Sequence, residues 1–285
     1  MKKNGFWGRF FMALMFLFLY APIFVLIVFS FNATKSRSVW AGFSVKWYVS
    51  LFSDEVIMDA LRTTLLVSVI ASFVACIAGT AAALGIYAMK RKTRSAVMSV
   101  NNIPLTNADI VTGVSLSLLF VFAINAFNAT IGKSTGSQWS LGFTTLLIAH
   151  ITFDIPYVIL SVLPKLRQLD PNIYEAAQDL GATGAVAFRK VILPDLMPGI
   201  INGLLIAFTM SIDDFVISYF TAGSQVSTLS MEVYAMARRK ISPEINAVST
   251  IMFGSVLLLL VIINLRETHQ SWKLKQQQSR LNPKR

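Results

Sequence analysis

Six long runs of apolar residues, separated by polar segments, constrain this chain more than any other feature of its sequence. The first run, from Phe10 to Phe29, carries no charge and is long enough to cross about 30 Å of hydrocarbon as a helix. Only helices and closed barrels satisfy their own backbone hydrogen bonds in hydrocarbon, so we predict an all-α integral membrane protein. The five further predicted spans are approximately 63–89, 103–127, 141–163, 199–221 and 247–265.

The composition excludes a soluble domain. Of the 285 residues 55% are hydrophobic and 14% are charged, whereas soluble domains average about 25% charged. The single cysteine, Cys76, excludes an internal disulfide and a cysteine-based metal site. Because the first apolar run is longer than the core of a signal peptide, we expect it to remain as a membrane span.

The basic residues predict the orientation of the chain in the membrane. The net charge of +11 does not indicate nucleic acid, because Lys and Arg collect on the cytoplasmic side of membrane proteins. With both termini cytoplasmic, 17 of the 25 Lys and Arg residues fall on that side, and only Arg238–Lys240 form a contrary cluster. We expect a first helix with an outer segment in 1–60, a five-helix core in 61–265 and a cytoplasmic basic tail in 266–285.

The polar segment 170–198, between the fourth and fifth spans, has the pattern of a compact helical knob. Asp170 and Pro171 are typical of a helix start, and Gly181 is typical of a helix end with a left-handed backbone. A second short helix is predicted from about Thr183 to Leu193, ended by Pro194. An ordinary loop packed on its own bundle is the alternative.

This segment resembles the EAA loop of the membrane subunits of ABC importers, which docks onto the ATPase subunit. The resemblance rests on the EAA triplet, the later glycine and the distal Leu-Pro at the family's spacing. It implies a type I ABC importer permease fold and an ATPase-coupling role for Glu175, Ala176, Ala177, Gly181, Phe188, Arg189, Leu193 and Pro194. Phe188 with Arg189 is predicted as a second ATPase contact, unless Phe188 packs back onto its own bundle.

Three further stretches, 46–48, 211–221 and 242–247, resemble the permeases of spermidine/putrescine importers. Ala108 departs from that pattern, which has a proline there, and this leaves the bend of the third span open. The resemblance implies a homologous PotB-like permease, two PotA-like ATPase subunits, an extracytoplasmic PotD-like polyamine-binding protein and a lipid bilayer as partners. The chain has no P-loop motif, so no cofactor is expected in it, and ATP with Mg²⁺ is expected on the ATPase.

Polar residues inside the spans are candidates for the substrate pathway, because a charge in a span usually faces a water-filled cavity or a partner. On a continuous fifth helix Ser211, Asp214, Ser218 and Thr221 would form one stripe, with Asp213 turned about 100° away. A structural role is the alternative: a neutral Asp bonded to a neighbouring span, or Asp213 capping a broken helix. The predicted pathway residues are Asp214, Asp154, Asp109, Ser211, Ser218 and Tyr157.

Two other functions remain open at this point. One is a permease for another solute, such as iron(III), thiamine or molybdate, although an anion path would need Lys or Arg in the spans. The other is a polytopic membrane enzyme, because His150 and Asp154 are spaced as two metal ligands on a helix. The sequence offers no evident third ligand for such a metal.

Overall fold

The computed structural model describes residues 6–34, 39–133, 136, 138–170, 172–239 and 243–281, and the long apolar runs in them are helical. Two π-helical turns, Asn128–Gly132 and Phe188–Ile192, follow α5 and precede α9. Among the described residues, six helical stretches are long and apolar enough to cross a membrane, as predicted. The helices are α1 (Phe6–Ser30), α2 (Lys46–Ser53), α3 (Glu55–Ala88), α4 (Arg91–Thr106), α5 (Asp109–Phe127), α6 (Phe143–Gln168), α7 (Ile173–Asp179), α8 (Gly184–Ala187), α9 (Leu193–Ile212), α10 (Val216–Thr221), α11 (Leu229–Arg239) and α12 (Pro243–Leu281).

Residues 1–59 and 232–258 form one of two compact units, and part of it is ordered around a buried asparagine. The side-chain amide of Asn32 donates to the carbonyl of Val39 at 2.8 Å. The backbone carbonyl of Asn32 accepts the indole N–H of Trp47 at 2.7 Å. These bonds hold Asn32 to Val39 and Trp47, and they stabilise this unit because a buried amide without partners would cost about 1–3 kcal/mol.

Residues 60–231 and 259–285 form the second unit, and α6 is its central helix. One face of α6 packs against α3 and α9, and its buried aliphatic side chains make up much of the core. These α6 residues are Val158, Ile159, Val162, Leu163 and Leu166. Farther along, Leu146 of α6 packs with Val67 and Ala222. The candidate span with the largest buried share is thus the one that leads directly into the 170–198 segment.

Glycines allow α3 and α9 to approach α6 closely at one level. A Cβ atom on Gly79 of α3 would lie 2.7 Å from Cβ of Val158, and one on Gly203 of α9 would lie 3.2 Å from its Cα. A Cβ on Gly199, one turn earlier in α9, would lie 2.8 Å from Cγ of Lys165. Small residues at such crossings let membrane helices gain packing contacts where lipid provides no hydrophobic driving force.

The third predicted span is broken rather than continuous. It was expected as one helix from about 103 to 127, but α4 ends at Thr106 and α5 begins at Asp109. The two residues between them, Asn107 and Ala108, have extended backbones with ψ of 156° and 132°. The bend is thus present without a proline, and Asp109 starts a helix instead of lying inside one.

The fifth predicted span is also broken, so the prediction that its polar residues form one stripe on a continuous helix is wrong. α9 begins at Leu193, before the predicted start at 199, and ends at Ile212. α10 begins only at Val216, and Asp213 between them has φ −102° and ψ 0°. Residues on the two sides of this break are therefore not related by simple helical spacing.

Two helices extend beyond the predicted spans. α3 begins at Glu55 because the carboxylate of Asp54 caps it, accepting the backbone N–H groups of Val56 at 2.9 Å and Ile57 at 3.2 Å. α12 continues to Leu281, through most of the segment predicted as a polar tail from residue 266. Hydropathy locates the apolar part of such helices but not their capped ends.

We expect replacement of Gly79 by Ala to destabilise the protein by about 1–3 kcal/mol, the usual cost of adding atoms to a packed interior. The added Cβ would overlap Val158, and the carbonyl oxygen of Ile155 lies only 3.2 Å from the same position. The measurement is the thermal unfolding temperature of the purified protein. Gly85→Ala, on the same helix with open space around it, is the matched control and should not lower this temperature. Equal behaviour of the two variants would contradict the close α3–α6 packing.

Candidate functional site

The first half of the 170–198 segment folds as the sequence predicts. The side chain of Asp170 accepts the backbone N–H of Asn172 at 2.9 Å, and α7 follows; Pro171 lies outside the described residues. Gly181 has φ +86° and donates to the carbonyl of Gln178 at 2.8 Å, while the next amide, of Ala182, donates to Ala177 at 3.1 Å. This pair of bonds is a Schellman motif, which needs a residue with positive φ.

The second half of the segment differs from the prediction. The helix expected from Thr183 to Leu193 with Pro194 as its end is wrong. The chain makes only one turn in α8, then a π-helical turn, and runs directly into α9. Pro194 lies in the first turn of α9, directly after the π-helical turn. The segment is therefore joined to a membrane-spanning helix without a flexible linker.

The exposed surface of the knob includes an apolar residue that the sequence reading missed. Leu180 is 90% exposed at the corner between α7 and Gly181. Glu175 and Ala176 are also exposed, whereas Phe188, the predicted anchor, is partly buried. The sequence does not predict that Leu180 is exposed or that Phe188 is partly buried. However, an apolar residue directly before a turn glycine in a polar loop is a signal that could have identified Leu180. The other predicted members lie as follows: Ala177 and Leu193 partly buried, and Gly181, Arg189 and Pro194 exposed.

Four polar side chains, from α6, α9, α10 and the break between α9 and α10, meet inside the bundle. We call them the His150 cluster: His150, Ser211, Asp214 and Ser218. The His150 ring places Nδ1 2.7 Å from Oγ of Ser211 and Nε2 3.0 Å from Oγ of Ser218. Ser218 donates to Oδ2 of Asp214 at 2.9 Å, and the same oxygen is 3.7 Å from His150 Nε2. If Ser218 donates to the carboxylate, its oxygen accepts from Nε2–H of His150, so one tautomer satisfies every member.

Asp214 stabilises the break in the fifth span with its hydrogen bonds. Its carboxylate accepts the backbone N–H groups of Ile217 at 3.3 Å and Ser218 at 2.8 Å, which caps α10. Its own carbonyl accepts a hydrogen bond from Ser230 at 2.6 Å. The residue that caps the broken helix is thus Asp214, and not Asp213 as the structural alternative supposed. These bonds satisfy backbone groups that a break inside a membrane leaves without helical partners.

Asp154 is the other buried carboxylate of this region, one turn from His150 on α6. It is 0% exposed, and neither of its oxygens has a hydrogen-bond partner among the described residues. A buried charge without partners is costly. An ionised Asp154 therefore needs a cation or a donor from outside the described part of the chain.

Asp109 and Asp213 are both exposed, and they begin or precede two helices that pack side by side. A Cβ on Gly113 of α5 would lie 3.5 Å from Cα of Ile217 in α10. One membrane crossing separates these helices in the chain, so they run in the same direction, and Asp109 lies one turn before Gly113. The two carboxylates therefore lie at a similar depth. Tyr157 of α6, also predicted for the pathway, is partly exposed, with its ring against Phe153.

These sites lie in a region that matches a known family. Residues 75–268 match the family described as "Binding-protein-dependent transport system inner membrane component", which is more than half of the chain. The chain belongs to this family. The inner membrane components of binding-protein-dependent systems work with ATPase and binding-protein partners, and the membership makes this chain a multi-pass inner-membrane transport component. It removes the alternative of a membrane enzyme.

Relatives of this inner membrane component extend over most of its length. It is 39% identical over 251 residues to "Putrescine transport system permease protein PotI" of Escherichia coli (strain K12), covering 88% of this chain and 86% of the relative. It is 34% identical over 255 residues to "Spermidine/putrescine transport system permease protein PotC" of Haemophilus influenzae, covering 90% and 94%. The PotC protein of E. coli K12 is 35% identical over 253 residues, covering 89% and 90%.

Solved structures show the same fold at low identity. A bacterial ABC transporter involved in the import of the acidic polysaccharide alginate aligns with a TM-score of 0.67, at 19% identity and 94% coverage of each chain. An amino acid ABC transporter aligns with a TM-score of 0.53, at 20% identity, covering 80% of this chain and all of the other. The predicted all-α importer permease fold is confirmed.

We expect His150→Ala to lower the thermal unfolding temperature, because it leaves the hydroxyls of Ser211 and Ser218 buried without their ring partner. The cost of such unsatisfied groups is about 1–3 kcal/mol. The measurement is thermal unfolding of the purified protein. Thr152→Ala, at an exposed position on the same helix, is the matched control. A His150→Ala variant as stable as this control would contradict a structural role for the His150 cluster.

Proposed function

We propose that this chain is one of two permease subunits of an ATP-driven importer for polyamines such as spermidine and putrescine. The observation that carries the proposal is its similarity, over about nine-tenths of the chain, to relatives named for putrescine and spermidine/putrescine transport. The predicted spans 103–127, 141–163 and 199–221 also contain four Asp and neither Lys nor Arg. Such a charge pattern suits a substrate made of ammonium groups and disfavours an anion.

The proposed complex distributes the work among several chains. A homologous PotB-like permease forms the other half of the pathway, two PotA-like ATPases bind ATP and Mg²⁺, and a PotD-like protein delivers the polyamine from outside. Both termini of this chain and its 170–198 segment lie in the cytoplasm, in accordance with its basic residues. This chain contributes a path and a coupling element, and ATP hydrolysis remains with the ATPase.

The 170–198 segment is the proposed ATPase contact, with Leu180 as its apolar anchor. Leu180 is 90% exposed and is held at a corner by the Gly181 turn. A rigidly presented apolar side chain with polar neighbours is typical of a residue that fills a partner's pocket. Because the segment continues into α9 without a linker, movement of the ATPase would act on that helix directly. Rocking of rigid helices between inward-open and outward-open states is then the transport step.

We expect Leu180→Ala to weaken binding of the ATPase about tenfold, as loss of a contact worth about 1.4 kcal/mol does. Gly181→Val should have a larger effect, because a β-branched residue resists φ +86°. The measurement is co-purification of the ATPase, together with uptake of labelled putrescine by cells that contain the whole importer.

Two variants control this experiment. Gln168→Ala changes an exposed residue at the end of α6 and should leave ATPase binding intact. Gly181→Asn keeps a residue that tolerates the left-handed conformation and should retain more binding than Gly181→Val. Normal ATPase binding by both Leu180→Ala and Gly181→Val would disprove the docking role of this segment.

The predicted pathway residues, together with Asp213, which was not among them, divide into three groups by their surroundings. Ser211, Ser218 and Asp214 are engaged with one another and with His150, which suits a supporting role. Asp109 and Asp213 are exposed on neighbouring helices, and we propose that they line the path. Spaced carboxylates could receive the ammonium groups of a polyamine in turn and release them again. Asp154 and Tyr157 stay candidates for the inner part of this path.

We expect Asp213→Asn to lower putrescine uptake about tenfold, because it removes one charge-assisted contact worth about 1.5 kcal/mol. The amount of assembled importer should not change, since Asp213 is exposed in this chain. Asp213→Glu keeps the charge and is the matched control. Asp214→Asn should instead lower the amount of folded protein, because the cap of α10 is weakened. Full uptake by Asp213→Asn with a stable, inactive Asp214→Asn would reverse this assignment.

The substrate class is tested with the complete importer. Uptake of labelled putrescine should be suppressed by unlabelled spermidine and not by iron(III), thiamine or molybdate. Suppression by one of these other solutes, with none by spermidine, would identify a permease for that solute and overturn the polyamine proposal.

A further inference from the structure

Three arginines line a cavity beside the short helix α4, away from the sites described above. The cavity has a volume of about 560 Å³, within the range of pockets that hold small ligands. Its lining also includes two serines and an asparagine, which are neutral hydrogen-bonding groups. The lining residues are Arg91, Arg94, Ser95, Met98, Ser99, Asn102 and Arg167.

One of the arginines is fixed by the protein and forms the wall of the cavity. Arg94 donates to the carbonyls of Ile86 and Met89, both at 3.1 Å, and also to that of Tyr87. Its guanidinium carbon lies 5.6 Å from the centre of the Tyr87 ring. These are the carbonyls at the end of α3, which a cation stabilises. Arg94 therefore stabilises the end of α3, and the positive charge available to a ligand comes mainly from Arg91 and Arg167.

The charges around the start of α4 are unfavourable unless an anion is present. Arg91, Lys92 and Arg94 lie in the first turn of the helix, where the helix dipole disfavours cations. No acidic residue lies in that turn, and Lys90 gives it no side-chain cap within the described structure. Arg167 adds a further positive charge from the last turn of α6. A bound anion would offset this repulsion and accept hydrogen bonds from the first turn and the guanidinium groups.

An aliphatic strip on α4, next to the cavity residue Ser99, points to the source of the anion. Ala96, Val100 and Ile103 lie at steps of four and three and are exposed, Val100 by 66% and Ile103 by 56%. They form an aliphatic strip on the side of the helix away from Val97 and Met98, which pack against the core. A ligand with a phosphate and an acyl chain uses both the cavity and the strip. An acidic side chain of a partner protein would use only the cavity.

We propose that the α4 cavity binds a phosphate group, and that a membrane phospholipid with an anionic headgroup supplies it. Arg91 and Arg167 contact the phosphate, the hydroxyls of Ser95 and Ser99 complete the site, and an acyl chain lies along the aliphatic strip. The cavity adjoins the basic residues 90–94, on the side that the positive-inside rule assigns to the cytoplasm, where anionic lipids attract basic segments. The lipid would pin α4 next to the break that separates it from α5.

The test is lipid retention by the full-length chain purified together with its partner subunits. The sample is equilibrated with equal amounts of phosphatidylglycerol and phosphatidylcholine, and the bound lipid is counted by native mass spectrometry. The wild type should retain phosphatidylglycerol in preference. Arg91→Gln and Arg167→Gln should each reduce this preference about fivefold, the scale of one basic residue at an anionic membrane, and the double variant should reduce it further.

Lys133→Gln, which removes an exposed charge elsewhere on the chain, is the matched control and should keep the wild-type preference. Arg91→Lys combined with Arg167→Lys keeps the charge and should retain part of the preference for phosphatidylglycerol. A folding defect in the Gln variants therefore does not decide the result.

Thermal unfolding in millimolar inorganic phosphate separates the two sources of phosphate. Arginine-dependent stabilisation by inorganic phosphate without lipid preference would overturn lipid as the source. Equal retention of phosphatidylglycerol by the wild type and all variants, or cross-linking of residue 91 to the ATPase, would overturn the site.

Discussion

The close packing of α6 against α3 and α9 is the contact on which the second unit depends. In a bilayer, helices gain little from hydrophobic burial against one another, so association rests on van der Waals contact and a few polar bonds. Gly79 of α3 and Gly203 of α9 both bring their backbones up to Val158 of α6. This contact fixes the position of the three helices along their axes relative to one another. That position in turn brings His150 of α6 opposite the break between α9 and α10.

The second helix break, between α9 and α10, is stable because protein groups replace the lost helical hydrogen bonds. At the second break, Asp214 caps α10 while Ser218 and Ser230 bond back to it. Nearby, the hydroxyl of Thr145 donates to the carbonyl of Thr221 at 2.7 Å, which satisfies the end of α10. Irregular backbone at membrane depth is tolerated only where such partners or a water-filled cavity are present. The exposed Asp213, at the same break, lies in the kind of position where a path can open.

α9 connects the two functional regions of the chain. It begins within the 170–198 segment, because the π-helical turn at Phe188–Ile192 passes directly into it, and it ends at the break beside the His150 cluster. A helix of 20 residues spans about 30 Å, so α9 reaches from one region to the other. Coupling between an ATPase and the membrane path then needs no separate transmitting element. Leu180 lies near one end of this helix and Asp213 at the other, the two places where we propose that the chain meets the ATPase and the substrate.

The sequence by itself determined the membrane class, the six apolar helices, the Gly181 turn and the likeness to ABC importer permeases. These follow from local chemistry: uninterrupted apolar length, a residue that accepts positive φ, and a motif at fixed spacing. The tertiary structure decided the helix breaks at Asn107–Ala108 and Asp213–Phe215, the continuation of the loop through Pro194 into α9, and the separate surroundings of Asp213 and Asp214. Helical spacing presupposes an unbroken helix, and whether a helix breaks depends on partners such as His150 and Ser230 that lie far away in the chain.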